Sequence, residues 1–244
     1  MRRNTQFVCF FILFCFHASF AQVGIGTTSQ HASAQLEVSS TTKGYLPPRM
    51  TTTQRNAIST PATGLTIYNT TTNAFECYNG TAWYSTVHYV GESYGGGIVF
   101  FVYDNGQHGL IAATSDQSSG IAWYNGVFRF TGASADGVGA GKINTAIAVT
   151  IQMPDDNYGT FAAKVCSDYS VTSGGVKYGD WYLPSSYELN LLYAQRAIVG
   201  GFTTNRYWSS TEFDDFSYRT DFSNGFSGLS VRNASLNVRA IRSF

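Results

Sequence analysis

Reactive side chains are sparse in this chain, and their spacing does not assemble a catalytic centre. Beyond residue 21 the cysteines are Cys77 and Cys166, and the histidines are His31, His88 and His108. No histidine neighbours a cysteine or a second histidine, so no nucleophile and base stand at the spacing that covalent catalysis needs. We therefore expect a protein that is not an enzyme and has no cofactor.

One glycine-rich stretch invites comparison with a phosphate-binding loop. It runs Gly137-Val-Gly-Ala-Gly-Lys142. A Walker A motif needs glycine six positions before the lysine, where Asp136 stands, and serine or threonine after it, where Ile143 stands. The stretch is therefore interpreted as a flexible loop before a helix.

Two acidic clusters could supply oxygen ligands to calcium. The first, Asp155-Asp156-Asn157, is more simply interpreted as a helix cap. The second consists of Glu212, Asp214 and Asp215 and lacks a recognisable calcium-site motif. We expect no metal site.

The first 21 residues have the organisation of an export signal. Arg2 and Arg3 precede an uncharged apolar run over residues 7–16, and Ser19 and Ala21 fit a cleavage site before Gln22. A run of this length is about half of what a membrane-spanning helix needs. The sequence therefore predicts a secreted or cell-surface protein with no membrane span in the mature chain.

Charge and composition limit the classes of molecule that the chain could bind. The full chain has 15 basic and 15 acidic side chains, and loss of the signal leaves a small acidic excess. Without a basic cluster the chain cannot neutralise a row of phosphates, so no nucleic-acid partner is expected. Only 12% of residues are charged and 16% are aromatic, which is typical of extracellular β-rich proteins.

The two cysteines of the mature chain leave two alternatives open. Cys77 and Cys166 either form one disulfide bridge or are buried separately.

The mature chain divides near residue 88 by composition. Residues 22–87 are rich in Thr, Ser and Asn and contain only short β-like runs, such as residues 64–68 and 75–80, with one helical turn expected at residues 55–60. Strands this short cannot bury a core alone. This β-rich stalk or attachment segment must therefore trimerise or pack on a neighbour.

Residues 88–244 have the pattern of one compact domain. An apolar run at residues 98–103, the turn Asp104-Asn-Gly and residues 109–113 predict a hairpin. Helices are predicted over residues 142–152 and 160–169 from apolar side chains spaced three and four apart.

The clearest helix start is the capping box Ser185-Ser-Tyr-Glu188, in a helix that Gly200 and Gly201 should end. Short strands are expected at residues 207–211, 218–222 and 237–241. Together these elements predict an α+β domain.

Four ordered motifs resemble a known family. Residues 179–193 (Gly-Asp-Trp-Tyr-Leu-Pro-Ser-Ser-Tyr-Glu-Leu-Asn-Leu-Leu-Tyr), Tyr207-Trp-Ser-Ser-Thr-Glu212, Phe222-Ser-Asn-Gly225 and Val238-Arg-Ala-Ile-Arg242 are similar to the Lcl C-terminal domain family, also called domain of unknown function 1566. Residues 94–102 and 139–145 fit earlier segments of the family, so the resemblance covers most of the C-terminal domain. It implies a C-type-lectin-like fold, related to that of formylglycine-generating enzymes, and a role in adhesion. The reactive cysteine that formylglycine-type chemistry would need does not occur after Cys166.

The N-terminal segment resembles a different group. Val23-Gly-Ile-Gly-Thr, Lys43-Gly-Tyr-Leu-Pro-Pro-Arg-Met50 and residues 64–68 are similar to a leader found before tail-fibre-like or adhesin modules of secreted proteins. The resemblance implies an elongated attachment segment and a homotrimer.

The motif residues have structural interpretations of their own. Trp181 and Trp208 are large apolar groups beside a capped helix and a strand, so we expect both in the core. Arg239 and Arg242 alternate with apolar residues in the last strand, and we expect them to pair with acids such as Glu188 or Glu212.

A binding surface is predicted near the C-terminus. Residues 213–236 interleave large apolar side chains with Asp, Ser, Gly and Asn, without a strand or helix period. Rigid aromatics among adaptable polar groups are typical of binding loops, although ordinary loop packing is an alternative. On the first interpretation a glycan or protein ligand contacts Phe213, Asp214, Asp215, Phe216, Tyr218, Arg219, Asp221, Phe226, Leu229, Asn233 and Leu236.

The same stretch resembles the variable region of proteins that retroelements diversify by adenine mutagenesis. Its common residue types can all arise by changing adenines of an AAC or AAT codon, and they lie between Trp208-Ser-Ser and Val238-Arg-Ala. The overall hypothesis is a surface adhesin or receptor-binding protein with a lectin-like head. The alternative is a structural subunit of a surface or matrix assembly.

Overall fold

The computed structural model describes residues 22–155 and 159–244, so the expected signal peptide lies outside the described residues. Strands dominate the described chain. They are β1 (Val23–Ile25), β2 (Leu36–Val38), β3 (Arg49–Met50), β4 (Thr66–Asn69), β5 (Ala74–Tyr78), β6 (Trp83–Ser85), β7 (Ser93–Tyr94), β8 (Gly97–Tyr103), β9 (His108–Ala112), β10 (Ser118–Ile121), β11 (Val171–Ser173), β12 (Val176–Tyr178), β13 (Arg206–Phe213), β14 (Phe216–Asp221), β15 (Ser227–Val231), β16 (Leu236–Val238) and β17 (Ile241–Ser243). The helices are α1 (Thr52–Asn56), α2 (Ala140–Gln152), α3 (Ala162–Ser167), α4 (Ser186–Ala194) and α5 (Arg196–Val199).

The chain forms two compact units, one ending at Pro48 and the other comprising Arg49–Phe244. The first unit contains the parallel pair of β1 and β2. The division does not coincide with the compositional boundary at residue 88. Residues 49–87 contain a four-stranded sheet of order β3-β4-β5-β6, and this sheet belongs to the second unit.

An antiparallel sheet of order β17-β9-β8-β7 lies at the centre of the second unit. The apolar run at residues 98–103 forms β8, and its side chains alternate between two cores. Val99 and Ile111 are buried in one core, whereas Phe100 and Leu110 are buried in the other. A strand covered on both faces needs apolar residues at successive positions, which explains the unbroken run.

The two cores are covered by different helices. The first contains Ala148 of α2 and Cys166 of α3 together with Trp181 and Trp208, which are 2% and 0% exposed. The expectation that both tryptophans belong to the core is confirmed. The second core contains Leu189 and Leu192 of α4 with Phe100, Leu110, Tyr182 and Tyr207.

The predicted capping box at the start of α4 is present. The Ser185 hydroxyl accepts from the Glu188 backbone N–H, and the Glu188 carboxylate accepts from the Ser185 N–H at 2.9 Å. Glu188 also accepts from the N–H groups of Gly139 at 2.8 Å and Gly141 at 3.1 Å, at the start of α2. Burial raises the pKa of Glu188, although these N–H bonds oppose the shift. One buried carboxylate thus joins two helix N-termini.

The other helix predictions hold with shifted boundaries. Helix α2 covers the expected residues and begins at Ala140, and α3 is shorter than expected at both ends. The turn expected at residues 55–60 instead starts at Thr52, because Thr51 and Gln54 form a capping box. The last helix is interrupted at Gln195 and resumes as α5, which ends at Gly200 with φ +73°.

The two cysteines of the described chain are not bonded to each other. Cys166 is fully buried, which raises the pKa of its thiol, and Cys77 is half-buried. This favours separate burial, one of the two alternatives left open by the sequence. No helix in the described ranges has the length and apolar character to cross a membrane.

Gly141 should be intolerant of a side chain. Alanine in a helix is usually about 1 kcal/mol more favourable than glycine. Here a Cβ would lie 2.3 Å from Glu188 Oε2 and 2.6 Å from the Ser185 nitrogen. We expect Gly141→Ala to lower the free energy of urea unfolding by about 1–3 kcal/mol through overpacking. Gly179→Ala, whose Cβ would meet only Ser170 at 3.9 Å, is the control, and equal effects would contradict the prediction.

Candidate functional site

The candidate binding residues lie on a three-stranded meander at one edge of a sheet. The sheet has the order β10-β16-β13-β14-β15, and β13, β14 and β15 are antiparallel. Asp214 and Asp215 form the tight turn between β13 and β14, with Asp214 at φ +51°. The strand expected at residues 218–222 is present as β14, which begins at Phe216. The expectation of a loop surface is wrong for β15, where apolar residues alternate with glycine or serine as in a strand.

One face of this meander presents an apolar surface, which we call the hairpin patch. Phe213 pairs with Phe216, which in turn pairs with Val231, and Tyr218 pairs with Leu229. Cross-strand partners share a face, so these five side chains form one surface. Phe213 and Val231 are 54% and 52% exposed, and the rings of Phe213 and Tyr218 meet edge to face at 6.1 Å.

Helix α4 limits the hairpin patch at one end. The hydroxyls of Thr220 and Ser227 both donate to Asn190 Oδ1, at 3.0 and 2.5 Å. These two residues lie on the same face as Tyr218 and Leu229, two positions further along their strands. The exposed part of the patch therefore lies toward the turn at Asp214 and Asp215.

The other predicted ligand residues are placed elsewhere. Arg219 faces away from the patch and is largely buried, donates to the Phe226 carbonyl at 3.1 Å, and lies 5.2 Å from the Phe226 ring centre. Burial, followed by the nearby charge of Arg206, lowers the pKa of Arg219. Asn233 is exposed beyond the end of β15.

Asp221 and Leu236 line a shallow polar groove of about 330 Å³ at the opposite end of β13. There Asp221 lies 3.4 Å from Arg206 and accepts from the Ser223 hydroxyl and N–H, which lowers the pKa of Asp221. The structure therefore brings together six of the eleven predicted residues, namely Phe213, Asp214, Asp215, Phe216, Tyr218 and Leu229.

A buried ion pair holds the turn of this hairpin in place. Glu212 and Arg232 are 2.5 Å apart, with side chains only 5% and 2% exposed. Glu212 also accepts from the N–H groups of Thr131 and Ala133. Arg232 donates to the carbonyl of Arg129 at 2.7 Å and to that of Asp214. The pair thus ties residues 129–133 to the hairpin turn.

The Glu212–Arg232 pair also holds a second apolar group near the hairpin turn. The sequence analysis did not predict this group. Phe128 and Phe130 are both exposed, and Arg232 Cζ lies 5.2 and 5.9 Å from their ring centres. Their alternation around Arg129, between Gly126 and Gly132, was the available signal. Aromatic side chains therefore flank the hairpin turn as well as covering the hairpin patch.

The expected partners of the last-strand arginines are wrong. Arg239 pairs with Asp116 at 2.7 Å, and Arg242 pairs with Asp180 at 2.7 Å. Glu212 already binds Arg232, and Glu188 is saturated by helix N–H groups. Asp155 pairs with Arg129 rather than capping a helix, and Asp156 and Asn157 lie outside the described residues.

The sequence also contains one short pattern that matches a catalytic motif. Gly91-Glu-Ser-Tyr-Gly95 fits the G-x-S-x-G pattern of a nucleophile elbow. Ser93 lies in β7, which pairs with β8 in a hairpin, whereas an elbow joins a strand to a helix. His88 Nδ1 contacts Glu92 Oε2 at 2.9 Å, and the His88 ring stacks on Tyr94 at 3.9 Å. Within the described residues no three His, Cys, Asp or Glu side chains are grouped to hold a metal.

A larger cleft, of about 700 Å³, lies between β5 and the end of β8. Its walls include Phe75, His88 and Tyr103. The polar His88 ring is engaged by Glu92, Tyr94 and Phe244. The hairpin patch differs from this cleft in that its side chains point outward.

Breaking the buried pair should be costly. Arg232→Met leaves the Glu212 carboxylate buried without its counter-charge, and we expect a loss of about 3–5 kcal/mol in the free energy of urea unfolding. Arg206→Met is the matched control, because the Arg206–Asp221 pair has an Arg206 side chain that is 53% exposed. Surface pairs contribute about 0–1 kcal/mol. A similar loss in both variants would contradict the assigned role of Arg232.

Glu212 should also make stability depend on pH. Burial by itself raises the pKa of Glu212, but the Thr131 hydrogen bonds and the Arg232 charge outweigh it, and the pKa lies below its ordinary value. The stabilisation is therefore present above the unfolded pKa of about 4.3 and is lost as the pH falls through the folded pKa. Urea unfolding at a series of acid pH values should show a weaker pH dependence for Glu212→Gln. An unchanged dependence would show that another group controls it.

Comparison with known proteins finds a match that covers about a third of the chain, in its N-terminal part. Residues 24–98 match a family model described as a phage tail-like trimerisation region. No curated protein matches the chain. The match supports the predicted tail-fibre- or adhesin-like segment and extends past residue 87 into β8. A region of this kind fits a structural protein of the tail-fibre or adhesin type and supports formation of a homotrimer.

Proposed function

We propose that this protein is a secreted, non-catalytic adhesin or receptor-binding protein, a homotrimer whose C-terminal head binds a glycan or protein ligand through the hairpin patch. The observation that carries the proposal is the grouping of five partly or largely exposed apolar side chains on one face of β13, β14 and β15. Exposed apolar groups that lie together, unlike scattered ones, mark interaction surfaces.

The patch has the physical character of a recognition surface. Its side chains stand on paired strands rather than on a free loop, so little conformational freedom is lost when a ligand binds. Aromatic residues contribute much of the binding free energy in many interfaces. Both Phe213 and Phe216 are exposed. Asp214 and Asp215 at the turn supply acceptors that can orient a ligand.

The proposed homotrimer would multiply a weak interaction. Three heads carried by one trimer can engage a surface that displays repeated ligands, and the second and third contacts then form at high effective concentration. A modest apolar patch can therefore support adhesion when the target is a cell surface.

The C-type-lectin-like fold is part of the proposal. It rests on the motif resemblance over residues 179–242, whose elements form β13, α4 and the C-terminal strands β16 and β17. Strand β17 pairs with β9 and forms one edge of the sheet β17-β9-β8-β7. Diversification of residues 213–236 by a retroelement is an extension of the proposal, and a genome neighbourhood without a reverse transcriptase and a template repeat would end it.

A structural subunit of a surface or matrix assembly is the second candidate. The trimerisation match favours it, because trimerisation regions occur in structural proteins without requiring a ligand. In that case the hairpin patch would pack against neighbouring chains, and its loss would impair assembly rather than adhesion.

A double variant of the mature chain, residues 22–244, tests the proposal. Phe213→Ser with Phe216→Ser removes two exposed aromatic rings, and we expect binding on a glycan and host-protein array to fall at least about tenfold. Light scattering should show unchanged assembly.

The matched control replaces two exposed aliphatic residues outside the patch, Val176→Ser with Ile198→Ser. Loss of assembly in the double variant alone would support the structural subunit. Equal binding by the variant, the control and the unaltered chain would place the ligand site elsewhere.

A further inference from the structure

The first compact unit contains an apolar face that is exposed in the part of the chain that the structure describes. Strands β1 and β2 are parallel, with Val23 opposite Leu36 and Ile25 opposite Val38. These four aliphatic side chains therefore lie on one face of a two-stranded ribbon. They are 53%, 57%, 56% and 41% exposed, respectively.

The opposite face of the ribbon is covered by the chain itself. Gly24 and Glu37 are paired on that face. Glu37 Oε2 accepts from the His31 N–H at 2.6 Å, and a Cβ on Gly24 would lie within 2.0 Å of the Gln30 side chain. Residues 27–31 therefore fold over the polar face and leave the apolar face free.

A ribbon of this kind needs a partner. Two strands are at best marginally stable in water, and parallel strands are normally buried on both faces. A row of exposed Val, Ile and Leu with no charge among them is energetically unfavourable in solution.

We infer that the apolar face of β1 and β2 is the core of the homotrimer, where it packs against the same face of two further copies of this chain. The inference rests on the proposed homotrimer and assigns its interface. The trimerisation match begins at residue 24, within β1, and covers β2 entirely.

The chemistry of the face suits a second copy in particular. Around a rotation axis each residue meets its own counterpart, so a charged residue at the axis would be repelled by its copies. The inward positions are all aliphatic, whereas Glu37 lies on the opposite face. Identical aliphatic rows can pack together without any charge complementarity.

Light scattering of the mature chain tests the assignment. At micromolar concentration we expect the unaltered chain to have the mass of three copies and Ile25→Asp to have the mass of one. Val176→Asp is the matched control, because Val176 is 52% exposed in the two-stranded sheet of β11 and β12 but lies outside residues 24–98. The control should remain a trimer.

Disulfide trapping gives a second readout that does not depend on disrupting the fold. In a Cys77→Ser background, mild oxidation should link chains through Ile25→Cys at least ten times faster than through Glu37→Cys, because only the first points toward the proposed axis. Cys166 is fully buried and should not react.

The outcomes separate the two proposals. A monomeric unaltered chain would overturn the homotrimer itself. A trimer that persists in Ile25→Asp, or equal trapping through both cysteines, would leave the homotrimer standing and overturn the assignment of this face.

Discussion

Glu212 and Arg232 are both withdrawn from water, and neither charge could remain buried without the other. Both side chains also form hydrogen bonds with backbone atoms, Glu212 with Thr131 and Ala133, and Arg232 with Arg129 and Asp214. The position of the hairpin turn, the course of the preceding loop and the approach of Phe128 and Phe130 all follow from this pair. The candidate site thus depends on an interaction that no ligand would touch.

Other buried charges in the second unit also bind loop and helix-end backbone. Glu188 accepts hydrogen bonds from N–H groups at the starts of α2 and α4. The fully buried Arg239 pairs with Asp116. It also donates to three backbone carbonyls, those of Ala113, Gly200 and Gly201. A domain with long irregular connections has many backbone groups that no strand or helix satisfies. Few residues of this chain are charged. Several of these charged side chains are nevertheless buried, where they form hydrogen bonds with the backbone of loops.

Local signals in the sequence were sufficient for the elements that are determined locally. The capping box at Ser185, the apolar run of β8 and the spacing of α2 each predicted an element correctly, because their cause lies within a few residues. The partners of Arg239 and Arg242 could not be predicted, since they lie 123 and 62 residues away. The hairpin patch was found by residue type, and strands were predicted within β13 and β14. Strand β15 was not predicted, because its five residues carry only two large apolar side chains and stand among turn-forming Gly, Ser and Asn.

Strand β15 closes the five-stranded sheet at one side. Its sequence, Ser-Gly-Leu-Ser-Val, has no charge and no proline, which are the usual means of keeping a sheet edge from pairing with another chain. An extended backbone laid along this edge would lie beside the exposed Leu229 and Val231. The uncharged strand that completes the hairpin patch therefore lacks the usual protection of a sheet edge against pairing with a further strand.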